Sequence, residues 1–449
     1  LMTNYFYKMA DLSDRLREQV SAPIVWGGVH PTVAPVECLE HADLVCIGEG
    51  ELPLLSIMES LERGETPEGI PNVMTRENHD PASIELYPPI QDLDALPFPD
   101  YSLEDHHVLL GDRLVELDKD LLRRFCSKGS NFDRSDEVIY EAISSRGCPY
   151  HCSFCINNHY LSLYEGHKFF RRRSMENLVE ELERIRRTYP WFNRIVLQDD
   201  CFTATSPEDV RRFSELYRNR IGQPFFCLLS STTMDEELMG PLLEAGVHKL
   251  EVGIQSASRW INEEVYDRPH FSASQLLERA RRTQDISDDG LLITYDIILD
   301  NPFEDLDSTL ETLRLALALP RPKMLQLFSL TLFPGTSILV RALGEAVVDS
   351  PRAHYVKEDH DRQLRYVNML FTLTNMGCPD WMVRALAWRP LVRLMESAPM
   401  RKLLGLFSPL YKKMLRYKAS RGFRERFADL LEQGGGGPES HPTRLDRAD

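Results

Sequence analysis

No stretch of the 449-residue chain approaches 18 consecutive apolar residues, so no segment reads as a membrane-spanning helix. The opening LMTNYFYKMADLSD has neither a basic start nor an apolar run, and it does not read as a secretory signal. Positive charge is in deficit: 52 Lys and Arg stand against 69 Asp and Glu, a formal charge of −17. Such a surface repels phosphate backbones, so a nucleic-acid scaffold is not expected. Cysteine is scarce for the length. There are nine, an odd number, and three fall within eight residues, which is no disulfide framework and suits a reduced compartment with a cofactor. We therefore expect a cytoplasmic protein. What remains is ordinary for a folded chain, with 43 % hydrophobic and 27 % charged residues, and the length favours two or three domains.

Near the start, PIVWGGVHPT, a short helical stretch, ADLVCIGEGE and the helix-like ELPLLSIMESLERG alternate strand with helix. That alternation predicts a doubly wound parallel sheet. Gly27, Gly28, Gly48 and Gly50 fall just past strand ends, where such sheets hold ligands; tight turns alone are the plainer reading. A helical stretch at 4–19 precedes the first strand, an odd beginning for this fold, and a missing N-terminal piece is expected. Residues 69–136, rich in Pro and Asp, read as a linker laid over the surface.

The middle of the chain carries six strand-like runs, at 138–144, 194–199, 225–230, 249–255, 291–299 and 324–330, with helices of three-and-four apolar spacing between them. Ser174, Asp235 and Ser272 are placed to cap those helices. Right-handed crossovers of this kind give an α/β fold, an open or closed βα barrel whose chemistry belongs at the C-terminal strand ends. After about residue 346 the text turns mainly helical. Between Arg384 and Arg426 twelve Lys or Arg face two acids, mixed with Trp388, Leu404, Phe407 and Tyr411. Basic amphipathic helices of this sort lie on anionic membranes or dock on an acidic domain of their own chain. The Gly-rich end is expected to be disordered.

Directly after the first barrel strand comes SSRGCPYHCSFC, with Cys148, Cys152 and Cys155 separated by three and two residues. Structural zinc sites show four ligands in two pairs, and iron-sulfur electron carriers present four cysteines. Three thiolates on one short loop leave one position free. A zinc-stapled or purely electron-carrying module stays open as an alternative.

CPYHCSFC, with Phe154 before the third cysteine, resembles the CxxxCxxC loop of the radical SAM superfamily, and the resemblance runs over residues 142–337. GGVHPT and IGEGE resemble the end of a cobalamin-binding domain, and the pairing resembles the cobalamin-binding-domain branch, often called class B. The resemblance implies a partial cobalamin-binding, Rossmann-like domain (1–68), a linker (69–136), a partial (β/α)6 TIM-like radical SAM barrel (137–345), a helical C-terminal domain (346–432) and a disordered tail (433–449). It implies a 4Fe-4S cluster on the three cysteines, S-adenosylmethionine (SAM) and, where the N-terminal domain is complete, cobalamin.

Carried onto the strand ends, the family pattern puts Gln198, Asp199 and Asp200 at the SAM amino group. Glu251, Gln255 and Ser256 would face the methionyl carboxylate or ribose. Asp300 and Pro302 lie in the turn around the adenine, where relatives more often carry small residues, and Pro334–Thr336 matches the closing turn. Gly27, Gly28 and Thr32 would pass the cobalamin nucleotide tail; His30 is not assigned as a cobalt ligand. Plainer readings are a helix cap for Asp200 and a Lys249 or Arg268 partner for Glu251. The implied reaction is reductive cleavage of SAM to a 5′-deoxyadenosyl radical, fed by an external one-electron donor such as flavodoxin or ferredoxin. The implied outcome is cobalamin-dependent methylation of carbon on a small or lipid-like metabolite, with cyclisation or rearrangement as the alternative. A methylthiotransferase is not expected, because a second N-terminal cysteine set and a small C-terminal RNA-binding domain are missing.

Overall fold

The computed structural model describes residues 1–111, 113–127, 137–269, 272–287, 291–348 and 365–406. Phe407, Tyr411 and the tail from 433 lie outside them.

Six parallel strands form the main sheet in chain order: β6 (Ile139–Ala142), β9 (Arg194–Leu197), β10 (Phe225–Ser230), β11 (Val247–Gln255), β12 (Leu292–Leu299) and β13 (Lys323–Ser329). The first and last do not pair among the described residues, so the barrel is open. Each strand is apolar on the side facing the helices: Phe225, Cys227, Leu250, Ile293, Tyr295 and Leu325 join one continuous core with the helices between strands. Period-2 alternation sends the intervening residues into the lumen. Helices Met175–Thr188, Pro207–Arg220, Glu236–Glu244, Ala273–Asp285 and Leu306–Ala318 cover the outside. Ser174, Ser206, Asp235, Ser272 and Asp305 cap them by accepting a first-turn N–H.

The N-terminal unit is a three-stranded sheet of β1 (Val25–Trp26), β2 (Leu44–Cys46) and β3 (Val73–Met74). β1 and β2 are parallel, whereas β3 runs antiparallel to β2, so the sheet is mixed rather than wholly parallel. Residues 69–136 are more structured than a linker: besides β3 they hold a hairpin of β4 (His107–Leu110) and β5 (Arg113–Glu116) and a helix, Lys119–Cys126. No helix among the described residues is long and apolar enough to cross a membrane.

The IGEGE turn after β2 is the joint between the two sheets. Arg171, on β8 (Arg171–Arg172), has a side chain only 2 % exposed and pairs with both oxygens of Glu49 at 2.5 and 3.1 Å. It also donates to the Ile90 carbonyl at 2.7 Å. Arg146 pairs with Glu51 and lies 3.5 Å from Glu49. Gly48 sits at φ +81° with the Tyr164 hydroxyl where a Cβ would be, and that hydroxyl accepts the Glu49 N–H at 2.8 Å. Removing one member of so enclosed a pair strands the other charge. Arg171→Met should lower unfolding stability by about 3 kcal/mol, and adding Glu49→Gln should restore part of it, as read from chemical denaturation.

Candidate active site

The cysteine loop springs from β7 (Ser145–Arg146), which pairs antiparallel with β8 above the end of β6. Gly147 opens it at φ +77°; a Cβ there would stand 2.6 Å from the Phe169 ring, so only glycine fits. Ser153 clamps the middle. Its N–H donates to the Tyr266 carbonyl at 2.8 Å, its hydroxyl to the Val265 carbonyl at 2.6 Å, and its own carbonyl accepts the Ile338 N–H at 3.0 Å. The Cys155 N–H closes a turn on the Cys152 carbonyl at 2.9 Å, and Asn158 donates to the His151 carbonyl at 2.8 Å. Phe154 packs edge-on against Tyr266 at 4.9 Å, within the apolar cluster around Ile261 and Ile298.

All three thiols are half-buried. Burial pushes Cys148 up to about 12 and Cys155 up to about 11, and raises Cys152 against the pull of the nearby Arg268 guanidinium. Cys155 lies within electrostatic reach of both Cys148 and Cys152. Thiols held protonated this way lose their protons to a metal when it binds. Among the described residues no three Cys, His, Asp or Glu side chains converge on a point that one ion could occupy. A mononuclear zinc site requires that convergence; a cluster, which takes one cysteine per iron, does not. The donor set fits a 4Fe-4S cluster.

Around the loop the sequence-assigned residues divide. Asp200 stands at the barrel mouth beside Cys148 and Cys155 and accepts from Asn157 at 2.8 Å; packing around its carboxyl, then Asp199, raises it above the usual range. It caps no helix, since Ser206 caps the one that follows. Gln198 is exposed at the same strand end. Gln255 sits at φ +68° on a bulge in β11, its amide oxygen buried with no hydrogen-bond partner. One register step away, Oδ1 of Asp296 is equally unpartnered. Two buried acceptors without donors on adjacent strand ends suit a vicinal diol such as the SAM ribose.

Other assignments are corrected. Asp199 is wholly buried and spent on the protein: its carboxylate accepts the Ser144 N–H at 3.1 Å, the Ser144 hydroxyl at 2.7 Å and the Ser145 hydroxyl. It positions the loop rather than a ligand. Ser256 continues the outward phase of Leu250, Val252 and Ile254, donating to Glu304 at 3.1 Å beside Thr312. Burial pushes that Glu304 carboxyl up to about 7. Asp300 accepts from Ser329 and Asn368, both at 2.8 Å, tying β12 to β13 and to helix Tyr366–Asn375; Pro302 is exposed. Glu251 lies deeper, in the lumen, against Asp296 rather than at the strand end. A Cβ on Gly27 would stand 3.6 Å from that of Cys46, Gly28 lies at φ +101°, and Gly48 lies under Tyr164. His30 is a core residue packed at a tilt against Phe6, ring centres 4.7 Å apart, and, by burial, held down to about 4.

Two residues enter the site that the sequence reading did not place there. Arg268, 9 % exposed, donates to the Gly253 and Ile254 carbonyls at 3.0 and 3.2 Å, which holds its charge beside Cys152. Asp296 is the other. Its signal was present, an acid inside the apolar run LITYDIIL on the lumen-facing phase.

A barrel of six parallel strands bearing a three-cysteine loop at its C-terminal rim defines a class. Residues 142–314 match the radical SAM superfamily. The chain is 27 % identical over 261 residues to an uncharacterized methyltransferase of Pyrococcus horikoshii, covering 57 % of this chain and 50 % of that one. It is 26 % identical over 293 residues to the cytidylyl-2-hydroxyethylphosphonate methyltransferase of Streptomyces wedmorensis, covering 59 % and 49 %. The chain thus spans about half the length of these relatives. Among solved structures it resembles the radical SAM methyltransferase TsrM of Kitasatospora setae, with a TM-score of 0.55 at 14 % identity, covering 76 % of this chain and 61 % of TsrM.

Replacing Cys148, Cys152 or Cys155 singly with Ala should abolish retention of four irons after anaerobic reconstitution. Cys201→Ala should retain them, although Cys201 lies near Cys148. Iron and sulfide analysis reads the difference.

Proposed function

We propose that this chain is a radical SAM methyltransferase acting on carbon of a small metabolite, with cobalamin as the methyl carrier. The observation carrying the reading is the clamped loop of three thiols with no fourth, next to Asp200 and the unpartnered Gln255 and Asp296 acceptors. When bound, the cluster and cobalamin supply one-electron cleavage of SAM and carriage of a methyl group. The chain's own part is binding and orientation. Asp200 faces the SAM ammonium, Arg268 supplies positive charge for its carboxylate, Gln255 and Asp296 accept from the ribose, and Phe154 with Tyr266 walls off water.

Cobalamin is the finer part of the proposal. It rests on the GGVHPT and IGEGE turns and on the fold shared with TsrM, whose structure was solved with cobalamin and a 4Fe-4S cluster bound. In this chain Tyr164 stands over Gly48 of the second turn, and no step is assigned to either turn. The six cysteines outside the loop are dispersed, which leaves an external donor such as flavodoxin or ferredoxin to supply the electron. With SAM carrying a labelled methyl group, a reductant and cobalamin, we expect label in the product and 5′-deoxyadenosine formed alongside. Deoxyadenosine without label transfer would favour cyclisation or rearrangement.

Helices Asp380–Leu386 and Arg389–Met395 dock on the barrel through Asp380–Arg321 at 2.9 Å and Arg389–Asp307, yet leave Trp381 and Trp388 72 % and 64 % exposed. Exposed tryptophans beside Arg384 and Arg393 support a peripheral contact with an anionic bilayer. Co-sedimentation with anionic vesicles should fall steeply with salt; equal binding to neutral vesicles at high salt would refute the contact.

A further inference from the structure

Below the ring of strand ends the lumen carries polar and charged side chains of which the SAM reading takes only Asp296 Oδ1. On β11 the inward phase places Lys249, Glu251 and Gly253 in line; the register sets Thr294 beside Glu251, Asp296 beside Gly253, and Met324 and Gln326 beyond them. From β10, Phe226 and Leu228 face the same layer. Glu251 hydrogen-bonds Asp296, and the Gln326 amide lies 3.5 Å from Glu251 Oε1. Lys249 holds its ammonium 4.8 Å over the Phe226 ring, at the floor. Thr294 is wholly buried, and its hydroxyl has no hydrogen-bond partner.

Two features of this layer point to a ligand. The first is that unpartnered hydroxyl, set on the same face as the acidic pair and one register step from Glu251, where a buried polar group without a partner is rare. The second is the charge balance. Burial raises both carboxyls, and for Asp296 the charge of Glu251 adds to it, so the pair keeps one proton between them. Its remaining negative charge is matched by Lys249, while the charge of Arg268, which also reaches Asp296, is matched by the SAM carboxylate in the proposed site, and Gln326 is neutral. An arriving cation can displace the shared proton and leave that balance unchanged. A primary ammonium has three N–H donors, and Glu251, Asp296 and Thr294 offer three acceptors.

Resting on the reading of this barrel as a radical SAM active site, we propose that Glu251, Asp296 and Thr294 seat a primary ammonium group of the substrate. The seat spans one to two inward steps, about 7 to 13 Å, below the Gln255 level, within reach of a small molecule whose reacting carbon stands at the mouth. An ammonium matches it; a lipid tail or an anionic head group does not. Asp296 Oδ1 remains for the ribose while the oxygen facing Glu251 accepts from the amine. The proton that the pair shared leaves to solvent, so the exchange balances with one proton released for each ammonium bound.

The test uses n-propylamine as probe, with propan-1-ol and propionate as controls, titrated calorimetrically into the reconstituted full chain at pH 7 in buffers of different ionisation enthalpy. We expect propylamine to bind with a Kd on the order of 1 mM, releasing close to one proton, and the two controls to bind at least tenfold more weakly. Glu251→Gln should weaken amine binding at least tenfold and abolish the proton release. Thr294→Val should keep the release and lose about threefold in affinity. Propan-1-ol or propionate binding as well as the amine, amine binding without proton release, or an unchanged Glu251→Gln titration would each overturn the seat. Iron content and deoxyadenosine formation are measured on the same samples. Their absence in the unsubstituted chain would fail the radical SAM reading and leave the amine result to be judged separately.

Discussion

The barrel mouth depends on how the short segment from Ser144 to Arg146 is held, because the cysteine loop grows directly from it. The buried carboxylate of Asp199 does the holding, accepting from the backbone and hydroxyl of Ser144 and from the hydroxyl of Ser145. Arg172 approaches from β8, donating to the Ser144 hydroxyl at 2.8 Å and to the Phe202 carbonyl at 2.9 Å. A buried carboxylate satisfied by so many donors is costly to disturb. Ser153 fixes the far side of the loop to the Val265–Tyr266 turn, so both ends are anchored before any iron arrives.

The same rim receives the N-terminal sheet. Glu49 and Glu51 belong to that sheet's turn, while Arg171 and Arg146 flank the cysteine loop, and Tyr164 ends the helix that follows it. Any movement of the N-terminal unit is thus felt two residues from Cys148. The glycines read as ligand turns are used partly to let the two sheets approach, as Gly48 does against Tyr164.

Much of the barrel was legible in the sequence because apolar runs with period 2 have few alternatives. The expected strand at 225–230 coincides with β10, and the others agree to within a few residues. The cysteine spacing, with Phe154, carried the family resemblance. Side-chain direction beyond the strand ends was not legible. Gln255 sits at positive φ on a bulge that nothing in QSAS announces, and Ser256 falls on the outward phase of the strand. Asp199 and Asp200 are neighbours of one type, yet one curls under Ser144 and the other faces the thiols, a choice made by tertiary packing. The hairpin within 69–136 did carry a signal, a Gly-Asp pair between HHVLL and RLVEL, masked by the surrounding prolines. The lumen acids were visible as charges inside apolar strands, but their pairing needed the register of β11 on β12.

The central claim is that three cysteines bind a 4Fe-4S cluster and leave one iron for SAM. Electron paramagnetic resonance of the reduced, reconstituted chain, recorded before and after SAM is added, addresses it most directly. The account predicts a 4Fe-4S signal whose g values shift on SAM binding and do not shift with methionine-free adenosine. A signal indifferent to SAM, or one showing a fourth protein ligand at the open iron, would contradict it.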